Sequence, residues 1–240
     1  MAITFRSRFS PLDHAAFAIL LLLCAFVGAR VWLEEHPEHN PWAPLSLHDP
    51  PGWATARKLA TLRGDPAECR RVLDRSAVAF AQLEPAGEGE CRRVDRITLN
   101  ETPLSPASPT ATCAVSAMFE RWRRQVVEPA ALELLGAPVA RIEHLGTYSC
   151  RRLYGRADGR WSEHAQGNAL DIAAFVLSDG RRIAVLRDWN GKSEKAEFLR
   201  RVRDGACQSF STVLSPDYNG AHADHLHFDQ ADRSFGGVCR

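Results

Sequence analysis

Two histidine motifs restrict the fold of this chain most strongly, because their side chains have to converge in space. The first is H-x-x-G-x-A-x-D, from His164 to Asp171, and the second is H-x-H, at His225 and His227. The Gly-Asn pair inside the first motif is typical of a turn, so the chain can leave His164, reverse and return as the apolar run 169–177. Residues two apart on a strand point to the same face, so His225 and His227 face the same way.

Imidazole and carboxylate groups in this pattern indicate a metal site. A hydrolytic zinc site uses three protein ligands and keeps a fourth position for water. One imidazole, one carboxylate and a second imidazole satisfy that need. The two motifs offer four groups that can converge as ligands or as a base, and such a spacing is hard to obtain by chance.

The pattern resembles that of the zinc peptidases that share a fold with D-alanyl-D-alanine metallopeptidases and the Hedgehog signalling domain. Three segments, 146–151, 162–175 and 218–229, are more closely similar to the bacterial extensin-like C-terminal domain family. This resemblance covers roughly residues 66–240.

The resemblance implies a role for each motif residue. In the peptidase family the residues matching His164, Asp171 and His227 bind zinc, and the one matching His225 lies beside the reacting centre. A family arginine, matched by Arg151, contacts the substrate or the developing oxyanion.

One position departs from the family pattern. Many relatives carry glutamate three residues before the last ligand, where this chain has the shorter Asp224. Asp224 is the first candidate for the general base and His225 is the second. Ser162 is a candidate substrate-binding residue, together with Arg151.

Two further residues are candidates for the surroundings of the metal. His222 lies five residues before the last histidine ligand. Asp229 shares a strand face with that ligand and can orient it.

The resemblance implies zinc-dependent hydrolysis of peptide bonds in peptidoglycan stem peptides or cross-links, by an endopeptidase or a carboxypeptidase. The alternative is a non-catalytic cell-wall-binding module on the same fold, which the change to Asp224 keeps open. A lysostaphin-like site is disfavoured because its first ligand pair is spaced H-x-x-x-D. A structural zinc site is disfavoured because such sites are closed and usually rich in thiolates.

The N-terminal region predicts a membrane anchor. Residues 15–33 are apolar except for Arg30. The length of this stretch is close to the length that spans a bilayer. Arg6 and Arg8 precede this stretch and acidic residues follow it, so the positive-inside rule places the rest of the chain outside the cytoplasm. A signal-peptidase site after Ala29 is the alternative to an uncleaved anchor.

These observations divide the chain into four parts and locate it. We expect a single-pass protein of the inner membrane with its C-terminal domain in the periplasm. The net charge of +1 implies no nucleic-acid partner, and we expect a monomer. The expected parts are a cytoplasmic tail (1–12), a transmembrane anchor (13–33), a stiff proline-rich linker (34–65) and the peptidase-like domain (66–240).

Six cysteines lie outside the anchor, and an even number in an exported domain predicts three disulfides. Fifteen pairings are possible. Proximity in sequence favours Cys69 with Cys91, and Cys207 with Cys239.

The periodicity predicts an α+β domain with a small antiparallel sheet, flanked by helices, that carries the ligands. The resemblance implies that this is the Hedgehog/DD-peptidase-like zinc peptidase fold. The expected helices are 66–76, a long one from Thr112 that Pro129 kinks or restarts and Gly136 ends, and one after Ser193. The expected strands are 139–142, 170–177, 182–186 and 210–214.

Overall fold

The computed structural model describes residues 10–233 and 236–240. The fold is α+β, as the sequence predicts, with one apolar helix at the N-terminus. Seven helices are present among the described residues: α1 (Pro11–Glu35), α2 (Thr55–Thr61), α3 (Pro66–Arg75), α4 (Cys113–Trp122), α5 (Glu128–Leu135), α6 (Val185–Asp188) and α7 (Glu194–Ala206). The strands in the same part of the chain are β1 (Phe80–Gln82), β2 (Ile97–Leu99), β3 (Leu104–Ser105), β4 (Thr110–Ala111), β5 (Val139–Gly146), β6 (Ala169–Leu177), β7 (Arg182–Ala184), β8 (Thr212–Leu214), β9 (Leu226–Asp229) and β10 (Val238–Cys239).

A seven-stranded sheet organises the domain, and its order is β10-β8-β9-β6-β5-β3, with β7 also paired to β6. The central pairs are antiparallel, as predicted, but the outer pairs β3–β5 and β8–β10 are parallel. The sheet is therefore larger than predicted and mixed. A second, three-stranded sheet has the order β1-β2-β4.

A β-bulge in β6 sorts the side chains of this central strand between the two faces of the sheet. Glu143 of β5 pairs with Ala174, and the next residue of β5 pairs with Ile172, so Ala173 is the extra residue. The bulge resets the alternation of side chains. Ile172 and Phe175 are therefore both fully buried, whereas Asp171 is only half-buried.

The helices α4 and α7 pack on the sheet through a buried aromatic cluster. The ring of Trp122 lies 5.1 Å from Phe228 and 6.0 Å from Phe175, and its indole N–H donates to the carbonyl of Val202 at 2.8 Å. This indole hydrogen bond satisfies the one polar atom of a side chain that is otherwise apolar and fully buried. The packing fixes β9 and β6, the strands that carry the candidate ligands.

The long helix expected from Thr112 is present but is not regular. Thr112 caps α4 through its side chain, and a π-helical turn, Arg123–Val127, joins α4 to α5. Pro129 lies in the first turn of α5, directly after the π-helical turn, and Gly136 ends α5 with a φ of +68°. The predicted restart at Pro129 is therefore accompanied by the π-helical turn before it.

Two predicted strands are shorter in the structure. The strand expected at 182–186 ends at Ala184, because the chain turns into α6 and the carboxylate of Asp188 accepts the N–H of Ala184 at 2.8 Å. The strand expected at 210–214 begins at Thr212.

The proline-rich segment is not a free spacer throughout, which corrects the prediction of a linker over 34–65. Leu45 and Leu47 are buried in the domain core. The N–H of Leu47 donates to the hydroxyl of Ser76 at 2.9 Å, and Arg121 donates to the carbonyl of Asp49 at 2.9 Å. Residues 45–49 therefore belong to the folded domain, which holds them through two buried leucines together with these hydrogen bonds.

The disulfides are Cys69–Cys113, Cys91–Cys150 and Cys207–Cys239. The pairing of Cys207 with Cys239 is confirmed. The pairing of Cys69 with Cys91 is wrong, because α3 packs against α4 and brings Cys69 to the first residue of α4, with the two Cα atoms 6.0 Å apart.

The N-terminal helix α1 contains the predicted anchor. It has 25 residues, a mean hydropathy of 2.3 over its most apolar stretch, and no burial of that stretch against the rest of the chain. By length and composition it can cross a membrane, and a signal sequence satisfies the same test.

Candidate metal centre

Three side chains, those of His164, Asp171 and His227, bring their ligand atoms to one point. The Nε2 of His164 lies 3.2 Å from the Nδ1 of His227 and 3.2 Å from a carboxylate oxygen of Asp171. The other Asp171 oxygen lies 2.9 Å from the Nδ1 of His227. The structure thus brings together the three residues that the sequence singles out as ligands.

Local structure explains why these atoms meet. His164 lies in a short 3₁₀ turn that Ser162 caps and that Gly167 ends with a φ of +70°. This left-handed conformation favours glycine and lets the chain reverse into β6. Asp171 of β6 then pairs directly with His227 of β9. Side chains of directly paired residues lie on the same face of a sheet and close together.

The outer nitrogen of each histidine is held by an acceptor. The Nδ1 of His164 donates to the carbonyl of Thr147 at 3.2 Å, and the Nε2 of His227 donates to the carboxylate of Asp229 at 3.1 Å. A carbonyl and a carboxylate can only accept, so each of these outer nitrogens carries the hydrogen. In the neutral rings the inner nitrogens therefore present lone pairs.

This arrangement fits a zinc ion. Zinc bound tetrahedrally at 2.0–2.1 Å would hold its nitrogen and oxygen ligands about 3.3–3.4 Å apart. The two histidine nitrogens are 3.2 Å apart, and each lies 2.9–3.2 Å from a different carboxylate oxygen of Asp171, which is close to that spacing. Three groups that all present lone pairs to one another also require a cation between them, either a metal ion or a proton. Histidines tied to a carbonyl or a carboxylate on their far side are typical of zinc sites.

The side chains of the triad shift one another's pKa values. Burial raises the pKa of Asp171, but hydrogen bonds from His164 and His227 outweigh burial and hold that pKa well below its usual range. Burial lowers the pKa of His227, but its hydrogen bonds to Asp171 and Asp229 outweigh burial and raise the pKa to about 9. A proton on His227 therefore occupies the space that a metal ion would take.

The triad lies in the wall of a cavity of about 320 Å³. His225 and His222 also line this cavity, whereas Asp224 does not. Burial, followed by the nearby charges of His227 and His225, lowers the pKa of His222 to about 4, so the His222 imidazole is neutral at neutral pH.

His225 and Asp224 form a pair in which the histidine reaches the site. The Nδ1 of His225 donates to a carboxylate oxygen of Asp224 at 2.8 Å, and its Nε2 lies 3.6 Å from a carboxylate oxygen of Asp171. The Asp224 side chain is 56% exposed, against 12% for His225. The geometry therefore favours His225 over Asp224 as the group nearest to the metal centre.

Arg151 and Ser162 both line the cavity, as His164 does. The N–H of Ser162 donates to the carbonyl of Arg151 at 3.1 Å, and the hydroxyl of Ser162 accepts the N–H of His164. Ser162 thus has a structural role as a cap, while Arg151 is exposed beside the disulfide of Cys150.

Several residues of the site are not evident from the sequence. The carbonyl of Thr147 orients His164, but any residue carries a carbonyl, so no sequence signal exists for it. Tyr154 and Tyr218 come from two separate loops of the cavity wall, and the amide of Asn219, next to Tyr218, donates to the hydroxyl of Tyr154 at 3.4 Å. Arg233 lines the cavity near its C-terminal side.

Comparison with known proteins confirms the resemblance to the extensin-like family. The family model described as extensin-like protein C-terminus matches residues 67–240, so the chain belongs to this family. Neither the curated proteins nor the solved structures gave a match.

Proposed function

We propose that this protein is a zinc-dependent hydrolase of peptide bonds in peptidoglycan stem peptides or cross-links. One observation carries the proposal: three lone-pair groups, on His164, Asp171 and His227, meet within hydrogen-bonding distance in the wall of a cavity. The similarity of this motif to that of the zinc D-alanyl-D-alanine metallopeptidases supports the assignment of the metal and of the reaction.

The residues of the cavity divide the chemical work. When bound by the triad, zinc supplies a Lewis acid for the scissile carbonyl and activates a water. His225 accepts a proton from the attacking water at its Nε2 and passes it to the leaving amine. Asp224 accepts the hydrogen bond from the Nδ1–H of His225, which holds the ring in place, and it stabilises the imidazolium. Arg151 supplies fixed positive charge to the developing oxyanion or to a substrate carboxylate.

The substrate and the location are proposed from the N-terminal helix and the family resemblance. An apolar helix followed by a domain with three disulfides fits a protein whose domain lies outside the cytoplasm, in the periplasm. The amides available there in large amount include those of the cell-wall peptide. The inner membrane is then the second partner, through residues 13–33.

The proposal is tested by metal content and turnover together. The purified protein should carry about one zinc per chain, measured by elemental mass spectrometry, and His164→Ala and His227→Ala should each lose it. Incubation of wild-type protein with purified muropeptides should give new products by mass, and a chelator should abolish them. His144→Ala is a matched control, since His144 lies on β5 outside the cavity lining. Full zinc retention in both ligand variants would refute the metal assignment.

A non-catalytic cell-wall-binding module is the second candidate, and the position of Asp224 favours it. The side chain that matches the family base is shorter and exposed, and it contacts His225 instead of lining the cavity. A protein that carries zinc and binds muropeptides without changing the mass of any of them would support this second candidate.

A further inference from the structure

The cavity that holds the triad is lined by three arginines, Arg151, Arg160 and Arg233. Among residues 10–233 and 236–240, no carboxylate oxygen lies within 4.0 Å of their side-chain nitrogens. The acidic groups of the cavity are already engaged: Asp171 and Asp229 hold histidines, and Glu163 accepts from Asn168 at 2.6 Å. The cavity therefore offers positive charge that the described part of the chain does not neutralise.

Arg233 is the best fixed of these three arginines. Its Nε donates to the hydroxyl of Thr212 at 2.8 Å, and Thr212 is buried. Arg160 has no such anchor among the described residues and is exposed. One hydrogen bond through Nε leaves the terminal nitrogens of Arg233 available, and these two nitrogens can form a paired contact with a carboxylate.

The sheet register sets the distance of Arg233 from the triad. Thr212 of β8 pairs directly with Asp229 of β9, and His227 lies two residues before Asp229. Diagonal neighbours of this kind are roughly 7–8 Å apart. An extended peptide advances about 3.3 Å per residue, so Thr212, the residue that holds Arg233, lies roughly two peptide residues from His227.

We propose that Arg233, held by Thr212, binds a carboxylate of an acidic peptide about two residues from the bond that is cut. The distance to that bond rests on the proposed function, whereas the binding of the carboxylate does not. Arg151 also lines the cavity, and its backbone carbonyl accepts the N–H of Ser162, two residues before His164. The substrate class is then a peptide that carries a carboxylate about two residues from the reacting amide, and Arg233 selects for this carboxylate on the Asp229 side of the cavity.

Binding of a defined muropeptide tests this subsite separately from cleavage. The probe is the disaccharide-tetrapeptide monomer, used as isolated and after conversion of its carboxylates to amides. Titration calorimetry on the full chain, with chelator present to prevent turnover, should show that amidation weakens binding by roughly 10- to 100-fold, the range for hydrogen bonds to charged groups.

Variants then assign the effect to Arg233. Arg233→Gln should lower the affinity for the acidic form by roughly 10-fold or more and remove most of the preference over the amidated form, and Arg233→Lys should restore part of both. Thr212→Val, which removes the hydroxyl at nearly constant shape, should weaken binding several-fold. Arg57→Gln, on the exposed side of α2 and outside the cavity, should match wild type.

The outcomes separate the subsite from the hydrolase proposal. Equal affinity of wild type and Arg233→Gln for the acidic monomer, with unchanged circular dichroism, would overturn the subsite. Absence of any measurable binding by the wild type would overturn it as well. Carboxylate-dependent binding that requires Arg233, in a protein that cleaves nothing with zinc, would uphold the subsite and refute the hydrolase.

Discussion

At the scale of single residues, the site depends on which nitrogen of each histidine carries the hydrogen. His164 presents Nε2 to the triad, whereas His227 presents Nδ1, and each choice is fixed by one acceptor on the far side of the ring. Asp229 is itself held, because its second carboxylate oxygen accepts the N–H of Ala231 at 2.9 Å. The carboxylate therefore cannot turn away from His227 without losing a buried hydrogen bond.

The same logic predicts how His225 and Asp224 share the base function. If Asp224 acts only through the His225 ring, His225→Ala should lower turnover by roughly 10²- to 10⁴-fold, and Asp224→Ala by less. The double variant should be no slower than His225→Ala alone, because both changes disable one unit. The measurement is muropeptide turnover with zinc content in parallel, and all three variants should keep the metal.

An independent base at Asp224 would give a different result. The two losses would then multiply in the double variant, and Asp224→Ala would be the slower single variant. Asp224→Glu provides the matched control of length, since it restores the side chain that many relatives carry.

The site shows which residues the sequence could predict. The convergence of His164, Asp171 and His227 was predictable, because imidazole and carboxylate side chains in that spacing are typical of a metal site. The role of Thr147 was not predictable, because its backbone carbonyl, and not its side chain, accepts the hydrogen bond from His164. The position of Arg233 was not predictable either, because only the pairing of β8 with β9 brings Thr212 beside the triad, and Thr212 holds Arg233.

At the scale of elements, strong local signals gave correct predictions. Asp65 before a proline and Ser193 before an amphipathic run both cap helices in the structure. Features that depend on neighbouring elements were missed, such as the bulge at Ala173 and the burial of Leu47. A bulge forms where two strands must meet at a given register, and that register is a property of the pair.

The contact between α7 and the π-helical turn tests whether tertiary packing outweighs helix propensity at one residue, Gly205. A methyl group added at Gly205 would meet both methyl groups of Val126, one of them at 2.8 Å. Gly to Ala inside a helix ordinarily stabilises by about 0.5–1 kcal/mol. Gly205→Ala should instead lower the free energy of unfolding by about 1–3 kcal/mol, because the interface is overpacked. Urea unfolding followed by circular dichroism measures this change.

The matched background for that substitution is Val126→Ala, which removes the two methyl groups. Gly205→Ala should be neutral or stabilising there, so the double-mutant cycle should give a coupling well above 1 kcal/mol. Additive effects would mean that α7 and the turn do not pack as closely as the structure shows.

At the scale of the whole molecule, the folded domain begins close to the apolar helix. α1 ends at Glu35, and the chain enters the domain core at Leu45. The nine residues between them can span at most about 32 Å when extended. If α1 stays in the membrane, the point where the chain enters the domain core is therefore held within about that distance of the bilayer.

The cysteines allow one measurement to decide whether α1 is retained. Cys24, in α1, is the free cysteine, and the other six form three disulfides. The sequence offers a signal-peptidase site after Ala29, so cleavage there would remove Cys24 with the helix. We expect an uncleaved anchor.

Alkylation of the exported protein under denaturing conditions without reductant should then label one thiol per chain, at Cys24, and the protein should stay with membranes after a carbonate wash. No label, together with release into the wash, would identify α1 as a signal sequence, and more than one label would mean that the disulfides are incomplete. Cys24→Ser is the matched control, since it should abolish the label without changing the membrane association.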